Sequence, residues 1–184
     1  MDTILFRLIN NLPHPLWADQ LTLFLDYAGE FWILLSLAAV LFIVGLIIKK
    51  RKLWLGALFL AATLVTTAWV IGVLKHFFNR PRPFDVLDGV HLMSNATGGS
   101  FPSGHAAAYA ALGAYMVFHF RRGHVFWACV IILGGLARIY QGVHFPGDVL
   151  EAWGVSLAIA WFMNVLCRYL ERKVGESLYK AEKS

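Results

Sequence analysis

FWILLSLAAVLFIVGLII, residues 31–48, carries no charged side chain, and neither does LWLGALFLAATLVTTAWVIGVL, residues 53–74. At about 1.5 Å of helical rise per residue these runs reach roughly 27 and 33 Å, enough to cross the hydrocarbon layer of a bilayer. The four residues that separate the two spans, Lys49, Lys50, Arg51 and Lys52, are all basic. Working outward, three more apolar stretches follow, and the spacing predicts five spanning helices near 31–48, 53–75, 103–120, 124–142 and 147–168. Hydrophobic residues make up 59% of the 184-residue chain and charged residues 15%, whereas a soluble domain carries roughly 25% charge. The sequence specifies an all-α, polytopic transmembrane helix bundle of one domain.

Residues 1–30 precede the first run and mix apolar residues at helical spacing with Asp2, Arg7, Asp19, Asp26 and Glu30. That pattern predicts an N-terminal amphipathic segment at the membrane interface, ahead of a transmembrane domain over 31–168 and a cytoplasmic tail over 169–184. A sixth, short span near 16–27 is the alternative, and Asp19 and Asp26 favour the surface position. The two cysteines, Cys129 and Cys167, lie within apolar stretches, so no disulfide framework is expected. Asn10, Asn11, Pro13 and His14 interrupt any signal-peptide pattern, leaving the first span to direct insertion.

Basic residues set the orientation. Lys49–Lys52, Arg121, Arg122, Arg168, Arg172, Lys173, Lys180 and Lys183 all fall at one end of the five-span arrangement, which is expected to be cytoplasmic. Their place beside apolar segments also argues against nucleic acid as the partner of the +5 net charge. The opposite end holds Arg7, Lys75, Arg80, Arg82 and Arg138. Positive charge on the outer side needs a reason, and an anionic ligand supplies one.

Three clusters meet at that outer face. Lys75 is followed by Arg80-Pro81-Arg82-Pro83 at the start of a long connection, residues 76–102. Pro102-Ser103-Gly104-His105 stands before an apolar helix, where Ser103 is a natural N-cap and the free first-turn amides attract an anion. His144-Phe145-Pro146-Gly147-Asp148 opens the last span, with Pro146 at its first position and Asp148 in its first turn. A carboxylate that holds one imidazole nitrogen leaves the other free as base or nucleophile. Arg138 sits in GGLARIYQGVH among small residues, which points it into the bundle. Taken singly, each cluster reads equally well as a capped helix or an interfacial anchor. Together they form the inventory that phosphoryl transfer requires.

The three clusters closely resemble the type 2 phosphatidic acid phosphatase superfamily, whose motifs are K-x6-R-P, P-S-G-H and S-R-x5-H-x3-D. Here they are Lys75 with Arg82-Pro83, Pro102-Ser103-Gly104-His105, and Arg138 with His144 and Asp148, and the resemblance spans roughly residues 31–168. One position departs: Ala137 stands where the pattern has serine. The resemblance implies that His144 is the nucleophile forming a phosphohistidine, that Asp148 orients it, and that His105 protonates the leaving group and later activates water. Lys75, Arg82, Ser103, Gly104 and Arg138 would hold the phosphate, with no metal and no cofactor. Arg80 lies off the motif, with a second phosphate or the interface as its partner. The implied activity is hydrolysis of a lipid phosphate or lipid pyrophosphate at the outer face of the cytoplasmic membrane. Undecaprenyl pyrophosphate, phosphatidylglycerol phosphate, phosphatidate and a lipid A phosphate are the candidate substrates. An anionic-lipid transporter or flippase without chemistry is the alternative, and a metal-dependent hydrolase using His105, His144 and Asp148 as ligands is a second. His119 and His124 fall at the cytoplasmic end, too far away to act at this site.

Overall fold

In a computed structural model, residues 1–182 are described, with side chains as far as Lys173. The helices are α1 (Asp2–Asn10), α2 (Leu16–Ala28), α3 (Phe31–Ile47), α4 (Arg51–Phe78), α5 (Pro83–Val86), α6 (Gly104–Phe120), α7 (His124–Tyr140) and α8 (Pro146–Glu182). No strand occurs among the described residues. The expected boundary of a tail at 169 falls inside α8, which continues through it unbroken. Lys180 and Lys183, counted in the basic bias, lie outside the described side chains.

α6 is the centre of the bundle, packed on α4, α7 and α8. Its buried positions are mostly small: Ala106, Ala107, Ala110, Ala111, Gly113 and Ala114. Lipid tails are as apolar as leucine, so helices in a bilayer associate through close packing, and small residues let their backbones approach. α7 uses glycine in the same way. A Cβ added at Gly134 would sit 2.3 Å from the Tyr109 ring, and one at Gly135 would sit 2.4 Å from Trp153. One apolar cluster, with Leu34, Leu60, Leu64 and Tyr115, fills the middle of the bundle. A second, with Phe6, Ile71, Ile139, Phe145 and Val149, lies beneath the end where α8 begins. The exterior is apolar as well: Trp32, Trp69, Val125, Trp161 and Phe162 are all exposed. Such a surface belongs in lipid.

By length and composition, α4 with its extension through Val86, and α8 as far as Lys173, are each sufficient to cross a membrane. α2 and α3 qualify as a pair bent by 62°. α6 and α7, at 17 residues each, are about 25 Å long and fall just short of a full hydrocarbon thickness.

The N-terminal segment docks on the bundle. Phe6 and Asn10 are fully buried, and the Asn10 amide donates to the carbonyls of His91 and Tyr140, each at 2.9 Å. Asp19 and Asp26, which favoured a helix at the membrane surface, both turn inward. Asp19 accepts from the Tyr140 hydroxyl at 2.9 Å, and Asp26 accepts from the Ser94 hydroxyl at 3.0 Å.

If the α6–α7 seam depends on the missing side chain at Gly134, filling it must force the helices apart. Gly134→Val is expected to destabilise the protein by about 1–3 kcal/mol, the usual cost of overpacking, read as a lower thermal midpoint in detergent. Gly154, where an added Cβ meets nothing within 4 Å, is the control: Gly154→Ala should leave the midpoint unchanged or raise it.

Candidate active site

Each motif is delivered by the end of a helix. α4 runs to Phe78, three residues beyond the expected stop, and carries Lys75 in its last turn. Asn79 closes it in the left-handed region at φ 39°, its N–H donating to Lys75 O at 3.0 Å. The chain then continues across this end of the bundle through Arg80 and Arg82 to the short α5, where the Asp85 carboxylate accepts from the Arg82 N–H at 3.0 Å. Ser103 caps α6, its hydroxyl accepting from Ala106 N at 3.4 Å. The Ala107 amide goes to Ser103 O. Among the described residues, the Gly104 and His105 amides have no acceptor, which leaves them for a ligand. A Cβ built on Gly104 meets nothing within 4 Å, so the space beside it is open. After α7, Gly142 turns the chain at φ 80°, and a Cβ there would lie 2.6 Å from His91 O. That turn brings His144 to the start of α8.

Asp148 is fully buried. Its Oδ1 accepts from Arg80 at 2.7 Å, and its Oδ2 accepts from Phe145 N at 2.9 Å. Oδ2 also lies 3.5 Å from His144 Nδ1, which has no better-aligned partner. Arg82, 5% exposed, donates to the carbonyls of Val143, Thr97 and Gly98 at 2.9–3.0 Å. Its Nη1 stands 3.5 Å from His144 Nε2. A guanidinium can only donate, so Nε2 turns a lone pair toward Arg82, and the ring proton belongs on Nδ1 facing Asp148. Burial, reinforced by the positive charge of Arg138, Lys75 and Arg82, pushes the His144 imidazole down to about 3, against the opposing pull of Asp148. His144 is therefore neutral at physiological pH, the form a nucleophile requires.

Lys75 Nζ donates to Gly99 O at 2.7 Å. His105 is partly exposed; its Nε2 lies 3.3 Å from Asp26 Oδ1 and 3.6 Å from Glu30 Oε1 without a well-aligned hydrogen bond to either. Lys75, Gly104 and His105 form the polar end of a cleft of about 270 Å³ whose walls include Phe31, Leu64 and Ile71. Ala68 and Gly72, also on the cleft, are exposed on the flank of α4.

Arg138 sits deeper. Its guanidinium donates to Asp26 and, at 2.7 Å, to Gln141 Oε1. Ala137, in place of the pattern's serine, is buried, and Gln141 supplies the polar contact one turn on. Arg80 bridges Asp148 and, at 2.7 Å, Asp2. The structure thus gathers Lys75, Arg82, Ser103, Gly104, His105, His144 and Asp148 at one end, with Arg138 held just beneath. It adds residues that the motifs do not name: Asp2, Asp26 and Gln141. A charge inside an amphipathic stretch was the available signal for Asp26, and the i, i+3 spacing to Arg138 was the signal for Gln141. Among the described residues, His105, His144 and Asp148 do not bring their ligand atoms together as a metal-binding group.

Comparison with known proteins bears on this geometry. The chain is 30% identical over 172 residues to a lipid A 4'-phosphatase of Porphyromonas gingivalis, covering 90% of this chain and 72% of that one. It is 32% identical over 166 residues to an undecaprenyl-diphosphatase of Bacillus subtilis, covering 88% and 81%. The fold matches the crystal structure of a transmembrane PAP2-type phosphatidylglycerolphosphate phosphatase from Bacillus subtilis, with a TM-score of 0.74, 24% identity, and 94% and 85% of the two chains covered. Residues 54–172 match the family described as the PAP2 superfamily, so the helix-end motifs, the apolar exterior and the relatives agree: the chain belongs to the PAP2 superfamily and is a membrane lipid phosphatase.

Proposed function

We propose that the protein hydrolyses a lipid phosphate or lipid pyrophosphate at the outer membrane–water interface through a phosphohistidine on His144. The observation that carries this reading is a buried His144 held between Asp148 and Arg82, at the same end of the bundle as a cleft that begins at Lys75, Gly104 and His105 and continues between apolar walls. The phosphate takes the polar end, and the lipid tail leaves along the cleft.

His144 Nε2 attacks phosphorus with its lone pair, while the bond to the leaving oxygen breaks and His105 gives that oxygen a proton. Asp148 opposite Nδ1 stabilises the positive charge that develops on the His144 ring. Lys75, Arg82, Arg138 and the free amides of Gly104 and His105 take the non-bridging oxygens. Water then attacks the phosphohistidine, giving its proton to His105, and phosphate leaves with His144 restored. The relatives act on a lipid A phosphate and on an undecaprenyl diphosphate, as their names state. Both classes present a phosphate at the headgroup level with an apolar anchor, and both belong in the substrate panel.

The test is phosphate release by purified protein in detergent against those lipids, phosphatidate and phosphatidylglycerol phosphate, with and without EDTA. His144→Ala is expected to be inactive on every substrate. His105→Ala should lose about 10²–10⁴-fold on an alkyl monophosphate and far less on p-nitrophenyl phosphate, whose leaving group needs little help from an acid. Acid-labile phosphate trapped on His144→Ala would overturn the assignment.

Asp26 acts as a positioning residue, bonding Arg138 and standing 3.3 Å from His105. Asp26→Asn should lower kcat on an alkyl monophosphate by up to about 10²-fold, the cost of a catalytic group displaced by about 1 Å, with a smaller loss on p-nitrophenyl phosphate. Equal losses on both, together with a lower thermal midpoint, would reduce Asp26 to a structural role.

With five spans, this site faces outside. A cysteine at Thr97, in a chain lacking Cys129, should react with an impermeant thiol reagent on intact cells. One at Lys50 should react only after lysis. Both positions are exposed and Cys167 is buried, so the reverse pattern would put the site in the cytoplasm.

A further inference from the structure

The other end of the bundle holds a second cluster that the phosphatase reading does not use. His119 lies in the last turn of α6, and Cys167 and Glu171 are spaced i, i+4 on one face of α8. The imidazole, thiol and carboxylate each offer a ligand atom, and these atoms lie within 4.8 Å of one another. Cys167 has no exposed surface and His119 is 2% exposed.

Two of the polar atoms here are unpaired. His119 Nδ1 and Glu171 Oε1 are buried and, among the described residues, have no hydrogen-bond partner. His119 Nε2 lies 3.3 Å from Lys52 O. A carbonyl can only accept, so the proton sits on Nε2 and the Nδ1 lone pair points into the cluster. That is the arrangement by which metal-bound histidines are fixed, with the second nitrogen donating to a backbone carbonyl. The ring has little freedom to turn away. Tyr115 stacks on it, with centroids 5.5 Å apart and planes 10° from parallel, and a Cβ at Gly56 would come within 2.5 Å of Nε2. Buried orphan acceptors carry an uncompensated desolvation cost, and two of them converging beside a thiol point to a shared partner.

We infer that His119, Cys167 and Glu171 form a binding site for a borderline-soft divalent metal ion of the Zn²⁺ class. Nitrogen, thiolate and carboxylate donors suit that class, whereas magnesium and calcium take oxygen ligands. Tetrahedral ligands at 2.0–2.3 Å stand about 3.3–3.8 Å apart, so binding contracts the trio by at most about 1.5 Å. The nearby cations are compatible with this. Arg168 is engaged by Asn164 Oδ1 and Phe118 O, and Lys52 and Arg172 line the same recess. Thiolate, carboxylate and neutral imidazole then offset the dication, leaving the occupied site neutral. The ion would staple the end of α6 to α8 far from the phosphate site, beside the turn that carries Lys49–Lys52.

The experiment uses full-length protein in detergent, purified under reducing conditions with a tag free of histidine, stripped of metal and titrated with Co²⁺. The expected result is one equivalent bound per chain, with thiolate-to-cobalt charge transfer and tetrahedral d–d absorption. Zn²⁺ should displace the colour and raise the thermal midpoint. Cys167→Ser should abolish the charge-transfer band, and His119→Gln should weaken binding by about 100-fold, while both retain lipid phosphate hydrolysis. If a variant fails to fold, alkylation of Cys167 in the unaltered protein decides the matter: Zn²⁺ should slow it. No saturable binding at one equivalent, unchanged binding in Cys167→Ser, or alkylation of Cys167 indifferent to Zn²⁺ would each overturn the site.

Discussion

The motif-bearing end of this protein depends on one buried carboxylate. Asp148 has no exposed surface, and an unpaired carboxylate there would cost several kcal/mol. Its partners come from three separate segments. The side chain takes Arg80 from the connection after α4 and the Phe145 amide from the turn before α8. Its backbone oxygen accepts from Ser103 N at 3.0 Å, which ties in the start of α6. His144 Nδ1 faces the same carboxylate. The interactions that satisfy Asp148 are thus the ones that bring the motifs together. Arg80 matters here without being a motif residue, because it carries the link one step further, to Asp2 at the chain's beginning.

The resting site is already balanced. Arg82 is taken up by loop carbonyls, Lys75 by Gly99 O, Arg138 by Asp26 and Gln141, and Arg80 by two aspartates. A cluster of cations inside a low-dielectric bundle would otherwise repel itself. Carbonyls and N-terminal carboxylates take the place of a counter-ion. Under the proposed function, a phosphate entering here would exchange these partners rather than fill a bare positive pocket, and its net gain would be smaller than the number of cations suggests. The exchange favours a ligand with several oxygens in fixed geometry, since it must satisfy several donors at once.

The long apolar runs, the basic turns and the motif residues were legible because each is a local signal. Hydrocarbon thickness sets the run length, and helix starts at Ser103 and Pro146 announce themselves by caps and ring geometry. The contribution of residues 1–30 was not legible. Asp19 and Asp26 in an amphipathic stretch have the same pattern whether they face water or reach cations across the bundle. Only the positions of Tyr140, Arg138 and His105 distinguish the two, and these lie more than 70 residues away. The end of α4 was misjudged by three residues for a related reason. Lys75 and His76 look like a polar stop, yet the helix continues until Asn79 adopts the left-handed conformation. The cluster of His119, Cys167 and Glu171 was hidden by distance between α6 and α8, which no spacing rule spans.

The position of the cleft bears on the kind of substrate this scaffold suits. Burying or exposing a methylene is worth about 0.8 kcal/mol, so pulling even a modest acyl or prenyl chain out of a bilayer into water is prohibitive. An enzyme for such molecules has to bring its catalytic groups to the headgroup and leave the tail where it is. Here His105 and Lys75 stand at the polar end of a cleft whose apolar walls are contributed by α3, α4 and α6, and whose flank reaches the exposed Ala68 and Gly72. A tail in that cleft passes from protein to lipid without crossing water. The arrangement thus favours a substrate anchored in the membrane over a soluble phosphate of the same charge, because only the anchored one uses the cleft.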